Sequence, residues 1–216
     1  MTTDSYITQT TAPGKGAPLI FALHGTGGDE HQFLGLAQDL VPGAGVVSPR
    51  GDVSEHGAAR FFRRTGEGVY DMDDLARATE KMAGFIAGWR AEFPDAPAYA
   101  FGYSNGANIL ASVMMVRPDL LDRIALLHPL VPWEPAPAPA LAGIKVLITA
   151  GQNDPIGPWP LTERLINWSR VQGAEVTTEV HAGGHELRQS EVAVLGDFLG
   201  QPVARTGEIA SAMRGS

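Results

Sequence analysis

Short apolar runs alternate along the chain with longer stretches in which apolar residues recur every three or four positions. The runs Leu19–Leu23, Gly45–Ser48, Ala98–Tyr103, Ile124–His128, Lys145–Ala150 and Glu175–Val180 have strand length and border on turn residues. Helix-period segments fall near Glu30–Leu40, Asp73–Glu92, Ala107–Val116, Leu161–Gln172 and Glu186–Leu199. Apolar strands alternating with such helices predict a mostly parallel sheet flanked by helices, an α/β fold. Thr8 and its neighbours are expected to add an edge strand.

Two segments break this rhythm. Pro129, Pro132, Pro135, Pro137 and Pro139 fall within eleven residues, so Pro129–Ala140 is expected to be a stiff excursion, neither helix nor inner strand. After about Gly200 the apolar period fades. The expectation is a single domain over residues 1–200 and a tail over 201–216 that is mobile or a short helix. A chain of 216 residues can bury a full core without staples.

Composition narrows the partners. With 16 Lys and Arg against 24 Asp and Glu, the net charge of −8 has the wrong sign for nucleic acid or an anionic membrane. The absence of cysteine excludes disulfides, thiolate metal sites and a cysteine nucleophile. The first residues, Met1 to Ile7, lack signal-peptide features and no apolar run nears the roughly 20 residues that span a bilayer, which predicts a cytoplasmic protein. No cofactor motif stands out, and the histidines show no H-E-x-x-H metal pattern.

The strongest chemical signal is Gly102-Tyr-Ser-Asn-Gly106, set between an apolar strand and a helical run. G-x-S-x-G in that context is a nucleophile elbow, in which small flanking residues permit a turn tight enough to expose Ser104. A serine hydroxyl needs a base, and the base needs an orienting carboxylate. Asp154 follows the strand Lys145–Ala150, 50 residues after the serine, and His185 follows the last strand, 31 residues later. The order Ser, acid, His is that of the elbow-bearing fold. His181 competes as the base, and Asp122 and Asp197 are weaker candidates for the acid. An oxyanion hole requires two N–H donors. Asn105 can give one from the helix start, and Thr26 the other from the glycine-rich loop His24-Gly-Thr-Gly-Gly-Asp29.

The segments His24-Gly-Thr-Gly-Gly-Asp-Glu-His-Gln-Phe33, Gly102-Tyr-Ser-Asn-Gly-Ala-Asn108, Gly151-Gln-Asn-Asp-Pro155 and Gly184-His185 resemble, in order and spacing, the small carboxylesterase and acyl-protein-thioesterase branch of the α/β-hydrolases. The likeness spans roughly residues 17–199. It implies that fold without a large cap domain, a Ser104–Asp154–His185 triad, and an oxyanion hole from Thr26 and Asn105. Ser48-Pro-Arg-Gly-Asp52 and Arg60-Phe-Phe-Arg-Arg64 are similar to phrases of bacterial esterases, some associated with quinone or aromatic-compound stress. The chain departs from the pattern at Asn105, where many members have Gln, and at Leu127-His128-Pro129, where many have Ser-Gly.

For the pocket, Arg60, Arg63 and Arg64 with Phe61 and Phe62 could form a basic, aromatic rim; the bland alternative is charge balance against Glu67, Asp71, Asp73 and Asp74. His128 is a candidate pocket residue, Trp133 and Trp159 are candidate walls, and Met114 and Met115 are expected in the core. The stiff Pro129–Ala140 segment predicts a short, partly roofed pocket, with Trp133 on the acyl side and Phe61 and Phe62 on the alcohol side. The expected function is a serine carboxylesterase acting on short-chain or aromatic esters; a thioesterase and a non-catalytic ligand-binding scaffold are the alternatives. The expected partner is a small-molecule ester, with neither nucleic acid nor membrane, and a homodimer is left open.

Overall fold

A computed structural model describes residues 3–200, so the tail expected over 201–216 lies outside the described residues. The strands are β1 Thr8–Thr11, β2 Leu19–Leu23, β3 Gly45–Pro49, β4 Val53–Glu55, β5 Ala58–Arg60, β6 Arg64–Gly66, β7 Val69–Tyr70, β8 Ala98–Tyr103, β9 Arg123–Leu127, β10 Lys145–Gly151 and β11 Glu175–His181. The α-helices are α1 Leu34–Leu40, α2 Met72–Glu92, α3 Asn105–Val116, α4 Trp159–Val171 and α5 Gln189–Gly200. Seven strands form one sheet in the order β1-β3-β2-β8-β9-β10-β11, and only the edge strand β1 runs antiparallel to its neighbour. The mostly parallel sheet flanked by helices is the α/β architecture expected.

Side chains of successive strand residues point to opposite faces, and both faces are covered. Leu19, Phe21 and Leu23 of β2 join residues of α2, α3 and α4 in one core. Ile20 and Ala22 join Phe33, Ala37 and the α5 residues Leu195, Phe198 and Leu199 in the other. That is why β2, β3 and β9 are buried along their whole length, while the edge strand β11 is not. Asp71 caps α2 by accepting the N–H of Asp74 at 3.0 Å, and Asp73 and Asp74 place acids in its positive first turn.

Two expected helices start late. Asp29 accepts the His31 N–H at 2.9 Å, and the Glu30 carboxylate holds Arg50 at 2.5 and 2.6 Å; this loop is committed to side-chain bonds, and α1 begins at Leu34. Residues 186–188 stay in the loop that carries His185, and α5 begins at Gln189. Residues 53–70, which show no clear period, fold as two antiparallel hairpins, β4 with β5 and β6 with β7.

From β2 the chain steps to β3 on one side, then returns through α2 to β8 on the other. The loops after β2 and β8 therefore diverge at the carboxyl edge, and such a switch point leaves a crevice. No helix among the described residues is long and apolar enough to cross a membrane.

Candidate active site

Ser104 is the first residue past β8, with φ 52° and ψ −113°. The conformation is one that a non-glycine residue adopts only when its surroundings enforce it. They do so here: the Ser104 N–H donates to the Leu127 carbonyl at 2.9 Å, and its carbonyl accepts the N–H of Asn108 at 2.9 Å. A Cβ on Gly102 would lie 2.4 Å from the Gly106 carbonyl, and one on Gly106 would lie 2.4 Å from the Leu23 carbonyl oxygen. Both glycines are thus required for β8, β2 and α3 to meet this closely.

The turn brings Ser104 Oγ to 2.9 Å from His185 Nε2, and His185 Nδ1 lies 2.6 Å from Asp154 Oδ2. Asp154, whose side chain is 1% exposed, also accepts the N–H groups of Ile156 at 2.8 Å and Gly157 at 3.0 Å through Oδ1. Burial opposes its charge, but the Gly157 N–H, the His185 ring and the His128 ring outweigh that and hold the carboxyl below the usual range. The Tyr103 hydroxyl donates to the His185 carbonyl at 2.6 Å and its ring lies 5.3 Å from the imidazole, which fixes the histidine loop. His181, the competing base, instead faces Glu191 at 3.1 Å on the far side of β10 from the elbow strand β8.

Thr26 and Asn105 border the same cavity as Ser104 and His185. Neither backbone N–H has an acceptor among the described residues. Asn105 opens α3, where first-turn N–H groups have no intrahelical partner. The Thr26 loop is braced from below. Buried His24 accepts the Gly51 N–H on Nε2 at 2.9 Å and faces the Gly25 carbonyl through Nδ1 at 2.7 Å, which places its proton on Nδ1. Burial, the largest influence, lowers the His24 pKa. Arg60 adds a hydrogen bond from Nη1 to Thr26 Oγ1 at 2.7 Å.

The cavity holds about 310 Å³. Tyr70, Leu130, Ile156 and Gly68 give it an apolar side; Arg60, Arg64 and Glu67 give it a charged one. Arg60 and Arg64 both reach Glu55, at 3.1 and 3.0 Å, and Arg64 also reaches Glu67 at 2.6 Å. Charge balance within the wall therefore accounts for these two arginines.

Other pocket candidates lie elsewhere. Phe61 and Phe62 have no exposed surface and belong to the core, because the bend that follows β5 packs them against Tyr6 and Tyr70. Arg63 is 62% exposed and pairs with Asp71 and Asp74, away from the cavity lining. His128 is 1% exposed and points at Asp154 beneath the site. Trp133 borders a separate groove and touches Tyr70 edge-on, so of Pro129–Ala140 only Leu130 reaches the cavity. Trp159 packs against the core, as do Met114 and Met115.

Several contributing residues escaped the sequence reading. Asn108 accepts the Leu130 N–H at 2.6 Å and donates to the Tyr70 hydroxyl at 2.8 Å, which pins the cavity wall to α3. Glu191 is fully buried against two histidines. Its signal was available: a carboxylate on the stripe of α5 that also carries Leu195, Phe198 and Leu199.

No family model matches the chain. It is 39% identical over 180 residues to MhqD of Bacillus subtilis, a protein assigned to the hydrolases, covering 82% of this chain and 90% of that one. The solved structure of Atu2452 from Agrobacterium tumefaciens, of unknown function, superposes with a TM-score of 0.86 at 52% identity, covering 92% and 98% of the two chains. The Bacillus cereus carboxylesterase superposes with a TM-score of 0.82 at 35% identity over 90% and 93%.

Proposed function

Since the chain belongs to the α/β-hydrolase family of small bacterial carboxylesterases, we propose that it is a serine carboxylesterase that hydrolyses short-chain or aromatic esters through an acyl-enzyme on Ser104. The observation that carries this reading is the unbroken hydrogen-bonded chain Ser104–His185–Asp154, opening on a cavity that two free N–H groups also border.

Ser104 Oγ attacks the ester carbonyl carbon and its proton passes to His185 Nε2. Asp154 holds the Nδ1–H tautomer and stabilises the imidazolium. The oxyanion takes the N–H groups of Thr26 and Asn105, and collapse expels the alcohol, which leaves with the proton from His185. Water then attacks the acyl carbon as His185 takes its proton, and collapse breaks the bond to Ser104 Oγ, releasing the carboxylic acid while His185 returns the proton to the serine. A cavity near 310 Å³ is at the lower end of the roughly 300–1,000 Å³ typical of small-molecule sites, which supports a small acyl group. Its arginines are offset by Glu55 and Glu67, which supports a neutral ester rather than an anionic one.

The test is hydrolysis of a short p-nitrophenyl ester by Ser104→Ala and His185→Ala. Both should lose essentially all turnover while melting near the wild type, because triad members act as a unit. Either variant retaining more than about a tenth of wild-type kcat, far above what survives loss of a triad member, would refute the assignment. The same machinery can cleave thioesters, and rates on matched oxo- and thio-esters rank the two.

A further inference from the structure

Beneath Asp154 lies a group of side chains that the mechanism above does not use. His128 follows β9 with φ 52°, and its N–H donates to the Thr149 carbonyl at 3.0 Å. Its Nδ1 lies 3.1 Å from Asp154 Oδ2 and its Nε2 lies 2.9 Å from Glu191 Oε1. The second contact is within ion-pair distance but outside hydrogen-bond geometry. Glu191 Oε2 accepts the Arg188 N–H at 2.8 Å and faces His181 Nε2 at 3.1 Å. Gly183 N–H donates to His181 Nδ1 at 3.0 Å, so His181 carries its proton on Nε2 and donates to Glu191. The three side chains His128, His181 and Glu191 have metal-ligand spacing, but this tautomer turns a proton, not a lone pair, toward the centre.

His128 thus has a carboxylate oxygen on each ring nitrogen. A neutral imidazole offers one donor, so with Nδ1–H on Asp154 an unprotonated Nε2 would lie 2.9 Å from the Glu191 carboxylate oxygen. A proton on both nitrogens removes that clash. We propose that His128, an imidazolium clamped between Asp154 and Glu191, is a positioning residue that orients the acid of the triad and tempers the basicity of His185. The proposal rests on the serine-hydrolase reading.

Glu191, His128, Asp154 and, in the transition state, His185 then alternate in sign, and the four charges sum to zero. The other titratable groups around His128 are His181 at 5.5 Å and Tyr103 at 5.9 Å between ring centroids. The His185 ring lies at 5.2 Å, close enough to sense the charge on His128. Burial would lower the His128 pKa, but Glu191 and then Asp154 outweigh it and hold it above the ordinary value. Burial likewise opposes the charge on Glu191, but His128 outweighs it and keeps the carboxyl below the usual range.

Glu191→Gln separates charge from shape. Its amide oxygen can accept from Arg188 and His181, and its NH₂ can donate to a neutral His128. Nitrogen-15 NMR near pH 8, above the ordinary histidine value of about 6.5, should find both His128 ring nitrogens protonated in the wild type and only one in Glu191→Gln. The kcat/KM profile of Glu191→Gln should move its midpoint to higher pH, with KM close to the wild type in a folded protein, because Asp154 loses an adjacent positive charge. His128→Asn suits the positive φ and keeps a donor to Asp154, so it should retain at least about tenfold more kcat than His128→Leu. A neutral His128 in the wild type, an unmoved midpoint in Glu191→Gln, or equal losses in the two His128 variants would overturn the proposal. A wild type without hydrolysis would overturn the enzymatic reading and the positioning role with it, while the NMR result still decides the protonation.

Discussion

Replacing Gly151 by Ala perturbs the proposed Ser104–His185–Asp154 triad from outside it. Gly151 ends β10, and a Cβ there would lie 2.0 Å from the Gly184 carbonyl oxygen and 2.5 Å from that of Gly183. Real Cβ atoms essentially never come within 3.0 Å of such a neighbour, so the loop must retreat by about 1 Å. His185 is the next residue, and its bonds of 2.9 Å to Ser104 and 2.6 Å to Asp154 do not survive that displacement unstretched. A misplacement of about 1 Å can cost on the order of 100-fold in rate, and overpacking costs about 1–3 kcal/mol of stability, a melting drop of roughly 2–12 °C. The assay is kcat/KM on a short p-nitrophenyl ester beside a calorimetric melt. Gly84→Ala is the control, since nothing lies within 4 Å of its added methyl inside α2; it should keep full activity and gain about 0.5–1 kcal/mol. A folded Gly151→Ala protein within about threefold of wild-type kcat/KM would refute the steric argument.

Other outcomes follow from the same geometry. Leu130→Ala should move the acyl-chain optimum to longer esters, whereas Trp133→Ala should leave it in place, because only Leu130 borders the cavity; a chain-length series reads both. Phe61→Ala should destabilise by about 3–5 kcal/mol in denaturant titrations, as expected for a ring with no exposed surface. Asp74 accepts from Arg63 N at 2.7 Å and Arg77 Nε at 2.7 Å, and although burial opposes its charge these partners hold its pKa below the ordinary value. A depressed carboxylate stabilises above its unfolded value of about 3.9 and loses that contribution as pH falls through the folded pKa. The melting gap between wild type and Asp74→Asn should therefore be widest near neutral pH and close toward pH 2.

Strand and helix placement was legible because burial on both faces of a parallel sheet leaves apolar runs, as in Leu19–Leu23 of β2, Ile124–Leu127 of β9 and Val146–Ile148 of β10. The spacing of Ser104, Asp154 and His185 was legible because each follows a strand at the same sheet edge. The cavity wall was not. Phe61 and Phe62 read as a rim from composition, but they lie just past β5, and packing against Tyr6 and Tyr70, distant in sequence or in a hairpin with no clear period, buries both. His128 read as a pocket residue because it ends a strand beside the elbow; its positive φ turns the ring down onto Asp154. The partners that decide its role, Glu191 and His181, come from α5 and β11.

An activated Ser104 nucleophile reacts covalently with a fluorophosphonate, which intact-mass analysis of the folded protein reads without any choice of ester substrate. A single adduct is expected, located on Ser104 by peptide mapping and absent from Ser104→Ala. A folded wild type that takes up no label, or an adduct that persists in Ser104→Ala, would contradict that assignment.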